Sequence, residues 1–248
     1  MDQNVTIPTE TIELPSKGLI YPTENPLSSG KIEMKYMTAK EEDILTNQSY
    51  IEKGIVLDKL LQALIITKID YNDLVVGDKN AIMVAARVLG YGKDYSFKYG
   101  DESYSVDLSQ LDNKELDKSL YSAGVNEFEF TLPNSGTKLT FKLLTHGDEK
   151  KINDEIKGLQ KIHKESNPEL TTRLKHIITS VDGSSDSKTV RQFVDNMLLA
   201  RDARSLREYI RSVTPEIEIK FDYEGPNGVE EGASVPINLN FFWPDAGI

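Results

Sequence analysis

Twice in this sequence the side-chain pattern changes from a period of two to a helical period across a threonine. Ile32, Met34 and Tyr36 alternate with Lys31, Glu33 and Lys35, which is the pattern of a half-buried strand. Thr38 follows, and then Glu41, Glu42 and Asp43. A threonine with a glutamate three residues on is a capping box, and acids suit the positive end of a helix. Later, Leu139, Phe141 and Leu143 alternate, and Thr145 or Asp148 opens a charged helix carrying Ile152, Ile156 and Leu159. A chain that makes this change twice must set antiparallel strands beside helices, so the fold class expected is α+β.

The flanking segments complete the same order in each half. Ile12 and Leu14 alternate with Glu13 and run into the turn signal Pro15-Ser16-Lys17-Gly18. Ile55, Leu57, Leu60, Leu61, Leu64 and Ile65 form one apolar helical face. Asp78 is expected to cap a second, deeply buried helix with Ile82, Met83, Ala85, Ala86, Val88 and Leu89, stopping at Gly90. A hairpin follows, with Tyr95, Phe97 and Tyr99, a Gly100-Asp101 turn, then Tyr104 and Val106. Gln110 to Asn126 reads as a linker or short helix. In the second half Phe128, Phe130 and Leu132 alternate before the turn Pro133-Asn134-Ser135-Gly136, and two or three helices run on to Val213. A final pair of strands is expected at Ile217–Tyr223 and Val235–Trp243, with Pro236 leaving a free edge.

Residues as well as patterns recur. At one constant offset Lys31, Lys35, Thr38 and Glu42 fall on Lys138, Lys142, Thr145 and Glu149. At a second, larger offset Asp78 falls on Asp202, Arg87 on Arg211, and Ile82, Ala86 and Leu89 on Leu206, Ile210 and Val213. Any strand–cap–helix unit constrains residue types in this way, so duplication and shared pattern both account for the matches. The expectation is two related modules, at 1–115 and 116–248, each with antiparallel strands or hairpins flanking a cluster of about three helices. Asp78, Arg87, Asp202, Arg211, Thr38 and Thr145 are expected to have structural roles. Arg87 lies in an apolar helix, where a lone charge is costly, so it is expected to reach a carboxylate or carbonyl, preferably within the chain.

Composition excludes whole classes of chemistry. There is no cysteine among the 248 residues, so disulfides, thiolate-bound metals and thiol catalysis are absent. The formal charge is −11, the wrong sign for nucleic acid or an anionic membrane as main partner. The exception is the run Arg201, Arg204, Arg207 and Arg211, read either as a solvated helix face or as a partner surface. The start of the chain has no basic segment leading into an apolar one, and the apolar stretch from Ala81 to Leu89 is too short to span a bilayer. No cofactor, metal or membrane is expected.

No catalytic motif stands out. His146, His163 and His176 are not at paired metal spacing. There is no nucleophile elbow and no phosphate loop. Gly90-Tyr91-Gly92 reads as a helix stop. The expectation is a non-enzyme that works by binding proteins. The alternative from another class is a carboxylate-based, tail-associated hydrolase, which needs two convergent acids. Phe241, Phe242 and Trp243, with Arg201, Arg204 and Arg207, are the residues expected to meet a partner, through strand addition or aromatic anchors.

Four segments resemble one family. Leu14-Pro-Ser-Lys-Gly-Leu-Ile-Tyr21, Met37-Thr-Ala-Lys-Glu-Glu-Asp-Ile-Leu-Thr-Asn47, Gly77-Asp-Lys-Asn-Ala-Ile-Met-Val-Ala-Ala-Arg-Val-Leu-Gly-Tyr-Gly92 and Val235-Pro-Ile-Asn-Leu-Asn-Phe-Phe-Trp-Pro244 are similar to the baseplate protein family of T-even-type contractile-tailed bacteriophages, which includes a baseplate hub subunit and a hub assembly factor. The resemblance implies a structural or assembly role in the tail baseplate hub. It implies other baseplate or hub proteins as partners, is compatible with a homo-oligomer, and places the protein in the host cytoplasm during assembly and then in the virion baseplate. A tail assembly chaperone that never enters the virion is the alternative within the class. Many members of that family carry Cys-x-x-Cys near the first hairpin, which suggests a metal ribbon. Tyr99-Gly-Asp-Glu-Ser103 stands there instead, so no metal ribbon is carried over.

Overall fold

The structure is a computed structural model that describes residues 7–162, 168–225, 228–237 and 241–242. The fold is α+β, built from small antiparallel sheets and helices. In the first half β1 (Thr9–Glu13) pairs with β2 (Lys31–Lys35), with Ile12 opposite Ile32. Helices α1 (Ala39–Leu45), α2 (Gln48–Glu52) and α3 (Val56–Leu64) follow, then α4 (Val76–Tyr91) and the hairpin β3 (Asp94–Tyr99) and β4 (Glu102–Asp107). The expected apolar face of α3 is real, since Leu60, Leu61 and Leu64 are fully buried.

The second half repeats this order. β5 (Phe128–Thr131) pairs with β6 (Lys138–Phe141), and α5 (His146–Ile162) and α6 (Glu169–Ile177) follow. A third strand, β7 (Ile178–Val181), then joins β6, and α7 (Ser187–Asn196) and α8 (Ala200–Val213) lead to the hairpin β8 (Lys220–Gly225) and β9 (Gly228–Ser234). The first half keeps a remnant of that third strand. Met34 bridges to Ile65, and the Ile66 amide reaches the Glu33 carbonyl at 2.8 Å. The Thr67 hydroxyl then accepts the Glu33 amide at 2.7 Å in place of a backbone carbonyl, and the ladder goes no further.

The threonine junctions correspond closely. Thr38 precedes α1, and its amide and hydroxyl both donate to Glu41 Oε2 at 3.0 and 2.6 Å, while Lys35 Nζ donates to Oε1 at 2.8 Å. Thr145 precedes α5, its amide and hydroxyl meet Asp148 Oδ2 at 3.2 Å each, and Lys142 Nζ reaches Oδ1 at 2.7 Å. The acid in contact is the third helical residue each time, so Glu41 and Asp148 are the true counterparts. Glu42 and Glu149, the identical pair in the sequence, lie one residue beyond.

Three expectations need correction. Asp78 does not cap α4, because its carboxylate is engaged elsewhere; the helix begins two residues earlier, after Val75. Gly90 does not stop that helix, which runs through Tyr91 and ends at Gly92, with φ of +84°. Gly90 instead leaves room for Met37, whose methyl carbon would lie 2.9 Å from an added Cβ. The partner of β8 is Gly228–Ser234 and not the apolar segment from Val235. β9 is polar because the pair has one aromatic face only, carried by Phe221 and Tyr223 of β8.

That face packs on the first hairpin. Phe221 meets Phe97 at 4.8 Å between ring centroids and Tyr99 and Tyr104 at 5.2 Å each, and Tyr223 meets Tyr99 at 4.9 Å. The two halves thereby share one hydrophobic core. The segment expected as a linker also joins them. Lys114 Nζ donates to the carbonyls of Arg211, Ser212 and Thr214 at the end of α8, at 2.5, 2.7 and 3.1 Å. Cations suit that end of a helix.

Candidate functional site

Two buried aspartates organise the halves. Asp78 is the third residue of α4 and has no exposed surface. It accepts the Ser16 amide on Oδ1 at 2.8 Å, and the Ser16 and Tyr21 hydroxyls on Oδ2 at 2.7 Å each. Tyr21 Oη in turn accepts the Val75 amide at 3.1 Å. Burial raises the Asp78 carboxyl above its ordinary value, against the pull of Tyr21 and Ser16. Asp202 is the third residue of α8, is equally buried, and accepts the Asn134 amide and side chain at 2.9 and 2.7 Å and the Ser135 amide at 3.0 Å. At Asp202 burial again works against the charge, but the Asn134 and Ser135 donors outweigh it and lower the carboxyl. Each aspartate thus ties its helix to the turn after the first strand of its half.

Arg87 finds carbonyls within the chain. Its Nη1 donates to Gly92 O at 2.7 Å and Nη2 to Asp94 O at 3.0 Å, while the guanidinium lies 5.5 Å from the Tyr91 ring. Its buried Nε has no hydrogen-bond partner. Arg211, its sequence counterpart, is exposed, so that match has no shared role. The ends of α4 and α8 differ because Lys114 occupies the carbonyls of α8.

The seam between the halves carries a cluster of ionisable groups. Val75 and Thr145 form an antiparallel bridge, with the Val76 amide on Leu144 O at 3.1 Å and the His146 amide on Leu74 O at 2.7 Å. Above it, Lys79 Nζ lies 2.5 Å from Asp58 Oδ1 and 3.2 Å from His146 Nδ1, so Nδ1 is the unprotonated, accepting nitrogen. Tyr71 Oη donates to Asp58 Oδ1 at 3.1 Å, and its ring meets the imidazole edge-on at 4.7 Å. Burial and the Lys79 ammonium push His146 below its usual value, while Asp58 opposes them. Lys79, Asp58, Tyr71 and His146 engage one another, with His146 Nε2 3.8 Å from Asp58 Oδ2, and together they form a clamp between the halves. Two close approaches flank the seam: a Cβ on Gly77 would sit 1.8 Å from Pro215 O, and one on Gly147 3.1 Å from Asn72 Cβ. No protein-family model matches the chain, and neither does any curated protein or solved structure.

The residues expected to meet a partner fall into three groups. Phe241 and Phe242 are buried, at 0% and 2% exposure, with Phe241 edge-on to Tyr95 at 5.0 Å. The Tyr95 hydroxyl donates to Pro236 O at 2.9 Å and fastens this segment to β3. These two phenylalanines therefore belong to the core and not to an interface. Trp243 lies outside the described residues. Arg201, Arg204 and Arg207 are exposed; Arg204 pairs with Glu208 at 2.9 Å and Arg207 Nε donates to Ala203 O at 3.2 Å. These contacts run along the helix itself, as on a solvated helix face.

One difference between the halves opens a groove. Phe130 of β5 stacks on Tyr209 of α8 at 4.8 Å and 20°. Ile12 and Ala85 stand in their place in the first half, and a groove of about 520 Å³ lined by Ile12, Ala81, Val84, Ala85 and Val88 runs along β1. Among the described residues no group of three acids or histidines is arranged to hold a metal, and no helix is long and apolar enough to cross a membrane.

Proposed function

We propose that this protein is a structural or assembly component of the baseplate hub of a contractile phage tail, acting through protein contacts. The observation that carries this reading is the convergence of the segments on which the family resemblance rests. Ser16 and Tyr21 of the first segment hold Asp78 of the third. Met37 of the second packs over Gly90 of the third, and Tyr91 Oη donates to Glu42 at 3.1 Å. Pro236 and Phe241 of the fourth close on Tyr95, just past the third, and Phe242 packs edge-on to Phe241. Segments far apart in the chain thus depend on one another, as expected if they are retained together as the signature of one fold. The function attached to that fold is the part inferred from resemblance.

The test is fractionation of phage-infected cells, with the protein followed by mass spectrometry through baseplate precursors, finished baseplates and purified virions. Presence in a precursor or in the baseplate at fixed stoichiometry is the expected result. Presence in precursors alone selects the assembly-factor form of the reading. Absence from all three overturns it.

A further inference from the structure

The seam inside the chain is asymmetric, and so it leaves two unmatched ends. It joins the Leu74–Val76 stretch of the first half to the Leu144–His146 stretch of the second. By the repeat, Leu74, Val75 and Val76 correspond to Leu198, Leu199 and Ala200. Val75 and Leu199 each precede a helix whose third residue is the buried aspartate, with φ and ψ of −68° and 152° against −64° and 143°. Leu144, Thr145 and His146 correspond in the same way to Met37, Thr38 and Ala39.

In the seam Leu74 and Val75 are 0% and 2% exposed; of their counterparts Leu198 is half-buried against the core and Leu199 is 52% exposed, with Met197 beside them 66% exposed. The backbone follows suit. The Ala200 amide and Leu198 carbonyl, counterparts of the two groups Val76 N–H and Leu74 C=O that close the bridge, have no partner among the described residues. Neither do the Ala39 amide and the Met37 carbonyl. An apolar surface beside an open pair of backbone groups marks an interaction site, and the seam shows which surface fits it.

We propose that the chain associates head to tail with a second copy of itself through these two ends. The Ala200 amide of one copy donates to the Met37 carbonyl of the next, whose Ala39 amide donates to the Leu198 carbonyl. Met197 and Leu199 are covered by the side chains around Tyr36 and Met37. Every copy carries one end of each kind, so the contact is heterologous and builds a ring or an open chain. The margins differ from the internal seam. Lys40 stands at the position of Gly147, where the neighbour must give by a few tenths of an ångström, and Arg201 stands at that of Gly77, where a Cβ would meet a backbone oxygen at 1.8 Å, so the two copies must tilt apart at this margin. The contact between copies is therefore looser and weaker than the internal one. This inference rests on the geometry of the repeat and not on the phage setting.

The test is sedimentation and light scattering of the purified full chain up to about 1 mM, where a weak contact registers. Two variants separate the ends. Leu199→Asp charges an exposed side chain. Ala39→Pro removes the amide at the first position of α1, where proline is well tolerated. Circular dichroism and melting curves check that both fold. The wild type is expected to self-associate with concentration, and each variant alone to dissociate about tenfold more readily or worse. An equimolar mixture of the two is expected to recover dimers, because each supplies the end the other lacks. A wild type that stays monomeric throughout, self-association unchanged in both variants, or a mixture that recovers nothing overturns the proposal.

Discussion

Asp78 and Asp202 occupy the same place in the two halves: third residue of a helix, side chain sealed, carboxylate closed on the turn after the first strand. Their settings differ in one respect. Asp202 receives two backbone amides and a side-chain amide, which favour its charge, whereas burial dominates at Asp78. Replacing either by asparagine turns an amide group toward donors, a loss of about 1–3 kcal/mol. Asp202→Asn is expected to cost more than Asp78→Asn, as read from urea midpoints. The reverse order would mean that the donors at Asp78 outweigh its burial.

Gly77 inverts the usual helix rule. Alanine exceeds glycine by about 1 kcal/mol inside a helix. A Cβ at this position would lie 1.8 Å from the backbone oxygen of Pro215, which cannot step aside as a flexible side chain could. Gly77→Ala is expected to destabilise by about 1–3 kcal/mol or more. A neutral or stabilising result in thermal melts would mean that the two halves sit farther apart.

Phe241→Ala tests the placement of the last aromatic residues. A buried phenylalanine against Tyr95 is expected to cost about 3–5 kcal/mol on truncation. A stable, folded variant with impaired assembly would instead return Phe241 to an interface.

Acid should unfold the protein through its paired carboxylates. Arg191 holds Glu155 down to about 2, helped by His176 and opposed by burial. Burial also works against the charge of Glu41, which Lys35 and Thr38 nevertheless lower to about 2. Both folded values lie below the ordinary 4.5. The stability they contribute is therefore complete above that value and is lost as the pH falls from about 4.5 toward about 2. Glu155→Gln is expected to flatten the fall in denaturant midpoint across this window, and an unchanged slope would count against the pairing.

His146 acts in a higher window. Its folded form resists protonation while the unfolded chain takes up a proton near the usual 6.5. Stability is then full above about 6.5 and declines as the pH drops below it. His146→Gln, which keeps an acceptor for Lys79, is expected to remove this decline between about pH 7.5 and about pH 5.5. Proton titration by NMR of the ring would show the depressed value directly.

The parts of this fold legible in the sequence were those with strong local periods. The alternation at Ile32 and Met34 and the box at Thr38 sit where their patterns place them. So does the hairpin around Gly100, which pairs Tyr99 with Glu102. The element order of the repeat was legible too. Its working residues were less so, because matching by identity favours Glu42 with Glu149 over the chemically equivalent Glu41 and Asp148 that bind the threonines. β9 was missed because Gly-Val-Glu-Glu-Gly-Ala-Ser carries no apolar alternation. The seam was missed because Leu74 to Val76 owes its burial to a partner strand about seventy residues away. Phe241 and Phe242 look like an anchor in sequence and are core in space, and the packing against Tyr95 decides between the two.

The hydroxyl of Tyr95 waits for a carbonyl 141 residues further along the chain. At a ribosomal pace of about 5–20 residues per second, the first hairpin stands with its aromatic side uncovered for roughly 7–28 s before Phe221 and the C-terminal segment emerge. Through that interval the nascent first half displays a sticky face that the finished protein hides, and its safe passage depends on translation outrunning encounters with other unfinished chains.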